Sequence, residues 1–204
     1  MDRRKYWAAV VLLGVCAIYS VATGVASFLS IAPRSFLDEW SSGGGMPSAE
    51  RISLEGRRMM VAHRLDPLNP EYLESLARFR LMAAPTQKEA GARRAILGEG
   101  LGYARKALAL RPVSPYGWAD LLDLKSALGE VDAEYAGALS NALALGPWEP
   151  GVQLVLARTG LADWNALGQE SRKASRMNFL DALATQPQNL PGLARKRCAK
   201  PGTC

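Results

Sequence analysis

Residues 114–147, SPYGWADLLDLKSALGEVDAEYAGALSNALALGP, decide the fold. Ser114 and Pro115 supply a helix cap and a first-turn proline, where a missing N–H costs nothing. Trp118, Leu121, Leu122 and Leu128 follow at helical spacing, so one face of the segment is apolar. Gly129 ends that helix and Asp132 caps a second, which carries Tyr135, Ala138, Leu139, Ala142 and Leu145. Pro147 stops it. The unit is two antiparallel helices joined by a short turn.

A hexapeptide brackets this unit and recurs upstream: LDPLNP at 65–70, LRPVSP at 110–115 and LGPWEP at 145–150. The first proline of each ends a helix and the second opens the next, because proline cannot continue a helix yet tolerates its first position. The frame predicts a lone leading helix from Ser48 to about Leu65, then helices near 70–83, 86–110 and 169–185. Thr86 with Glu89 has the pattern of a capping box, and Gly160 is the expected break after the helix that opens at Pro150. Gly91, Gly98, Gly100 and Gly102 within 86–110 admit close packing, a kink or fraying.

Pro112 to Pro147 is 35 residues, and the unit resembles the tetratricopeptide repeat, a helix-turn-helix of about 34 residues. Trp118 stands at the family's first-helix Trp, Leu121 at the next Leu and Gly129 at the interhelix Gly. Ala138 or Leu139, then Ala142, stand for its small second-helix residues, and Pro147 is its closing proline. Leu122 departs from the usual Gly or Ala, and the second helix has one extra residue. The interval from Pro67 to Pro112 is longer, at 45 residues. The resemblance implies an all-α stack over residues 48–186 with a concave face formed by the first helix of each pair. On those helices Tyr72, Arg78, Tyr116, Asp120, Asp123 and Gln153 are the candidate partner-binding residues.

The N-terminal part differs. Residues 6–32 carry no charge, and Arg3, Arg4 and Lys5 precede them. As a helix the segment is about 40 Å long, beyond the roughly 30 Å of a bilayer core. The expectation is a transmembrane helix with residues 1–5 in the cytoplasm and the rest across a bacterial inner membrane, in the periplasm. A cleaved signal peptide is the rival reading, with GVA at 24–26 as its cleavage site. Ala17, Ser20, Gly24 and Ser27 line one face of the segment, a spacing that lets membrane helices approach closely. Residues 33–47 are expected to be a linker, with SSGGGMPS at 41–48 as a flexible tether and Trp40 at the membrane surface or against the stack. Residues 187–204 are the expected flexible basic tail.

The net charge of +6 resides at the two ends, in Arg3, Arg4 and Lys5 against Asp2 and in Arg195, Lys196, Arg197 and Lys200. The body is balanced, with a basic excess over 48–111 and an acidic excess over 112–181. That is not the footprint of a nucleic-acid protein. Cys198 and Cys204 can close a loop in an oxidising compartment or stay thiols in a reducing one. No further ligand type lies near them for a metal. His63 is the single histidine, and no HExxH, GxSxG, P-loop or dinucleotide glycine pattern occurs. GEGLG at 98–102 falls inside a helix rather than after a strand. The sequence therefore offers no catalytic residue, no cofactor site and no metal site.

The anchor, the short stack and the stretch LADWNAL…SRMNFLDALATQP also resemble the VpsP-like proteins that accompany bacterial exopolysaccharide synthesis clusters, through Trp164, Leu180 and Pro187. That resemblance implies a non-catalytic scaffold for membrane proteins of a polysaccharide export assembly, with an acidic polysaccharide as a second class of partner. An accessory subunit of a respiratory, photosynthetic or pilus complex, docked through the membrane helix, is the alternative.

Overall fold

A computed structural model describes residues 3–41, 45–169 and 172. Among them are seven α-helices and one 3₁₀ turn: α1 (Arg3–Ser41), α2 (Ala49–Leu65), α3 (Pro70–Ala83), the turn Ala84–Thr86, α4 (Ala90–Leu110), α5 (Pro115–Leu128), α6 (Ala133–Leu145) and α7 (Pro150–Ala162). No strand occurs among the described residues. The protein is all-α.

The hexapeptides behave as their chemistry dictates. Each second helix stops at the leucine that opens the motif, and each next helix starts at its second proline. The N–H groups of Asp66, Arg111 and Gly146 donate to the carbonyls of Ala62, Ala107 and Ala142, closing three equivalent helix ends. Asn69, Ser114 and Glu149 then donate back across each turn, at 3.4, 3.2 and 3.2 Å. Asn69 and Ser114 also cap the next helix with their side chains, whereas Glu149 makes no such bond. One hinge has been built three times.

Pairing runs α1 with α2, α3 with α4 and α5 with α6, and α7 packs on α5 and α6. The core is continuous because α3 serves two clusters. Tyr72, Leu76, Phe79 and Met82 pack with Phe36 and Leu37 of α1 and with Ile52 and Met59 of α2. Ala77 packs with Leu97, Leu101 and Ala104 of α4 and Leu121 and Leu124 of α5. One helix pair cannot bury its apolar face alone, and stacking supplies the missing cover. Gly129 sits in the left-handed region at φ 72°, which an L side chain enters at a cost.

The N-terminal helix corrects the expected boundaries. The linker at 33–47 is helical as far as Ser41, and α1 passes through Pro33. Proline there costs the helix a hydrogen bond. Packing offsets the loss: Phe36 and Leu37 are each 4 % exposed, and Phe36 stacks on Phe79 with ring centroids 6.0 Å apart and planes 7° from parallel. Arg51 also lies over the Phe36 ring, 4.9 Å from its centroid. The helix at 48–65 is therefore not a lone leader but the partner of α1's second half. The glycine run follows α1 instead of joining an anchor to a stack.

Two smaller expectations are also corrected. Thr86 does not cap α4; its hydroxyl donates to the Ala83 carbonyl and closes the 3₁₀ turn, and α4 starts at Ala90. Gly160 does not break α7, which continues to Ala162 with Gly160 buried. The helix expected at 169–185, the tail 187–204, Leu180, Pro187, Cys198 and Cys204 lie outside the described residues, apart from Gln169 and Arg172. By length and composition, α1 from Tyr6 onward is long and apolar enough to cross a membrane.

Candidate functional site

The first helix of each pair faces inward. Together α1, α3, α5 and α7 wall a groove of about 740 Å³. About half of its lining is charged. From α3 come Glu71, Glu74 and Arg78, from α5 Asp120 and Asp123, from α7 Arg158, from α1 Arg34 and from the second hinge Arg111. Leu37, Trp40, Leu81, Tyr116, Leu154 and Val155 supply most of the apolar remainder.

The charges pair across the repeats. Arg34 of α1 meets Glu71 of α3 at 2.8 Å. Arg78 of α3 meets Asp120 of α5 at 2.9 Å. Asp123 of α5 accepts from Arg158 of α7. Arg111 donates to both carboxylate oxygens of Glu74 at 3.0 Å, and the Ser114 hydroxyl donates to the same carboxylate at 2.8 Å. Each inward helix is thus tied to the next by at least one arginine–carboxylate pair. Partly buried pairs of this kind fix geometry more than they add net stability.

Burial shows in the ionisation of the groove. Desolvation raises the Asp120 carboxyl to about 6 against the pull of Arg78, and it raises Asp123 against the pull of Arg158. Arg78 is pushed up in turn, chiefly by the charge of Asp120. The Tyr116 hydroxyl donates to Glu149 at 2.6 Å, and that bond lifts its pKa to about 12.

The six candidate residues separate into two groups. Arg78, Tyr116, Asp120 and Asp123 line the groove. Tyr72 does not: it is 1 % exposed, packed in the core with Arg34 5.3 Å above its ring. Gln153 is 5 % exposed and donates to the Pro147 carbonyl at 2.8 Å. Trp118 donates its indole N–H to the Pro112 carbonyl at the same distance and the same sequence offset. Gln153 is therefore the counterpart of the repeat's tryptophan and holds the hinge. A signal for the missed Arg158 was available. It lies eleven residues after its hinge proline, as do Arg78 and Asp123, so one repeat position supplies all three. Arg34 and Trp40 were hidden because their segment had the look of a linker.

Ala17, Ser20, Gly24 and Ser27 are all exposed on α1, and the Ser20 hydroxyl folds back onto the Cys16 carbonyl at 2.9 Å. His63 is half-buried on α2, away from the groove, with its pKa lowered by burial and then by Lys106. Among the described residues no cluster of His, Cys, Asp or Glu is arranged to hold a metal ion.

The architecture matches a solved one. A thermophilic TPR protein of Thermus thermophilus, TTC0263, superposes with a TM-score of 0.62 over 93 % of either chain, at 16 % identity. The fold is tetratricopeptide-like. No protein-family model and no curated protein matches the sequence.

Proposed function

We propose that this protein is a non-catalytic, membrane-anchored scaffold whose inner groove holds a segment of another membrane protein close to the bilayer surface. One observation carries the reading: α1 is both the apolar helix and the first wall of the groove. A partner seated against Trp40 and Leu37 is then presented at a fixed height and orientation. The groove's arginines are already engaged with carboxylates of the same chain, which favours a protein segment over an acidic polysaccharide. The basic residues Arg3 and Arg4 support an N-terminus in the cytoplasm of a bacterial cell and a stack in the periplasm. The likeness to VpsP-like proteins favours an exopolysaccharide assembly as the setting. The small-residue face of Ala17, Ser20, Gly24 and Ser27 favours the alternative, an accessory subunit of a respiratory, photosynthetic or pilus complex docked through the membrane.

Photocrosslinking tests this. A crosslinker replacing Leu154 in the groove should capture a membrane protein that one replacing the exposed Lys106 on α4 does not. Polysaccharide polymerases or exporters among the adducts support the first setting, and cofactor-bearing subunits support the second. Equal capture from both positions overturns the groove reading.

A further inference from the structure

Beyond the groove, we infer that the hinge edge of the stack rests on the lipid headgroup region, with Leu68, Val113 and Trp148 inserted at the interface; this rests on the membrane reading of α1. Those three residues share the fourth position of the three hexapeptides. Their exposures are 69 %, 69 % and 86 %. Outside α1, nine large apolar side chains are exposed among the described residues, and five of them, Leu68, Leu110, Val113, Leu145 and Trp148, belong to the hinges. Isolated exposed apolar residues are ordinary, but one repeat position exposed three times is a surface.

Topology aims that surface. Glu39 near the end of α1 pairs with Arg51 in the first turn of α2, so the two helices are antiparallel. Following α1 back from Ser41 therefore leads along α2 to Leu65 and the first hinge. There Arg34 meets Glu71 and Tyr72, in the opening turn of α3. Just beyond, at Ala26, α1 leaves the stack, and most of its side chains from Tyr6 to Val25 are exposed. Because successive helices alternate in direction, all three hinges lie on the edge from which α1 departs, and the turns at 84–89 and 129–132 lie on the other.

Chemistry on that edge suits lipid. Asp66 accepts from the Asn69 side chain, Glu149 from Tyr116, and Arg111 is held by Glu74. Beside these paired charges Leu68, Val113, Trp148 and Arg64 stand exposed. Apolar side chains with a tryptophan among them, and a cation for the phosphates, fit the interfacial zone of a bilayer.

The test uses the full chain in lipid nanodiscs, its three native cysteines replaced by serine. A nitroxide is attached in turn through Ile18→Cys, Leu68→Cys, Val113→Cys, Trp148→Cys and Lys88→Cys, the last on the far edge. Collision rates with oxygen, which partitions into lipid, and with a water-soluble nickel chelate report depth. The inference expects Ile18 deep, Lys88 in water, and the three hinge sites between them, with an oxygen-to-nickel ratio several-fold above that of Lys88. Hinge sites indistinguishable from Lys88 while Ile18 is deep would overturn it and leave the membrane helix intact. Hinge sites shielded from both colliders would mean a protein surface covers them, which also overturns it. If Ile18 itself matches Lys88, the membrane reading has failed and the inference falls with it.

Discussion

The Nε of Arg78 donates to both carboxylate oxygens of Asp120, at 2.9 and 3.0 Å, and so joins two inward helices 42 residues apart in sequence. Asp120 is buried enough that its carboxyl titrates near 6. A carboxyl raised in the folded state favours folding when protonated. Its contribution is full below the unfolded value near 3.8 and is lost as pH rises through about 6. The stability of the wild type relative to Asp120→Asn should therefore increase by about 1–3 kcal/mol between pH 7 and pH 4. Urea unfolding at four pH values checks this; a flat difference would show that Asp120 ionises normally.

Glu134 has the opposite sign. The hydrogen bond from Arg105, with Lys125 adding to it, holds its carboxyl down at about 2. Its contribution is present above the unfolded value near 4.5 and disappears as pH falls through 2. Lys125 itself is 2 % exposed among Asp132, Glu134 and Glu130, at 2.6, 2.9 and 3.6 Å. Lys125→Met should lower the unfolding free energy by about 1–3 kcal/mol at pH 7, with part of the loss recovered at pH 2, where Glu134 is about half protonated. A loss that is equal at both values would assign Lys125 a packing role only.

Two glycines of α4 separate the readings that the sequence left open. A methyl group on Gly100 would lie 2.8 Å from Leu124 Cδ2 and 2.9 Å from Arg80 Cβ, whereas one on Gly98 meets nothing within 4 Å. Gly98→Ala should stabilise by about 0.5–1 kcal/mol through helix propensity, and Gly100→Ala should destabilise by about 1–3 kcal/mol through overpacking. Thermal unfolding of the pair decides it, and the same sign for both would contradict the packing seen here.

Gln153 offers a test of assignment. If its work is to hold the third hinge, Gln153→Leu leaves the Pro147 carbonyl without its donor and costs about 1–2 kcal/mol. Crosslinking from Leu154 should persist in the folded variant. Loss of crosslinking without loss of stability would return Gln153 to the groove.

Much of the architecture was legible because its signals are local. Pro67 and Pro70, Pro112 and Pro115, and Pro147 and Pro150 fix helix ends by missing N–H groups and fixed φ, whatever surrounds them. Gly129 and Asp132 mark a turn in the same way. The errors arose where distant packing outweighed local chemistry. Pro33 has the look of a stop, yet Phe36 on Phe79 and Arg51 over Phe36 carry the helix on to Ser41. The groove was half legible: a helical position could propose Asp120 and Asp123, but their partners lie 42 and 35 residues away. Tyr72 and Gln153 share those helices and differ from groove residues only in rotation about the axis, which a looser repeat pattern left unresolved.

The continuity of α1 is the claim on which the rest depends, and a distance distribution tests it directly. Nitroxides introduced through Val21→Cys on the exposed part of α1 and Gly98→Cys on α4, in a background free of native cysteines, can be measured by pulsed electron resonance in nanodiscs. A single narrow distance is predicted, because one unbroken helix joins the apolar segment to the stack. A broad distribution, as a flexible tether at 33–47 would give, contradicts the account.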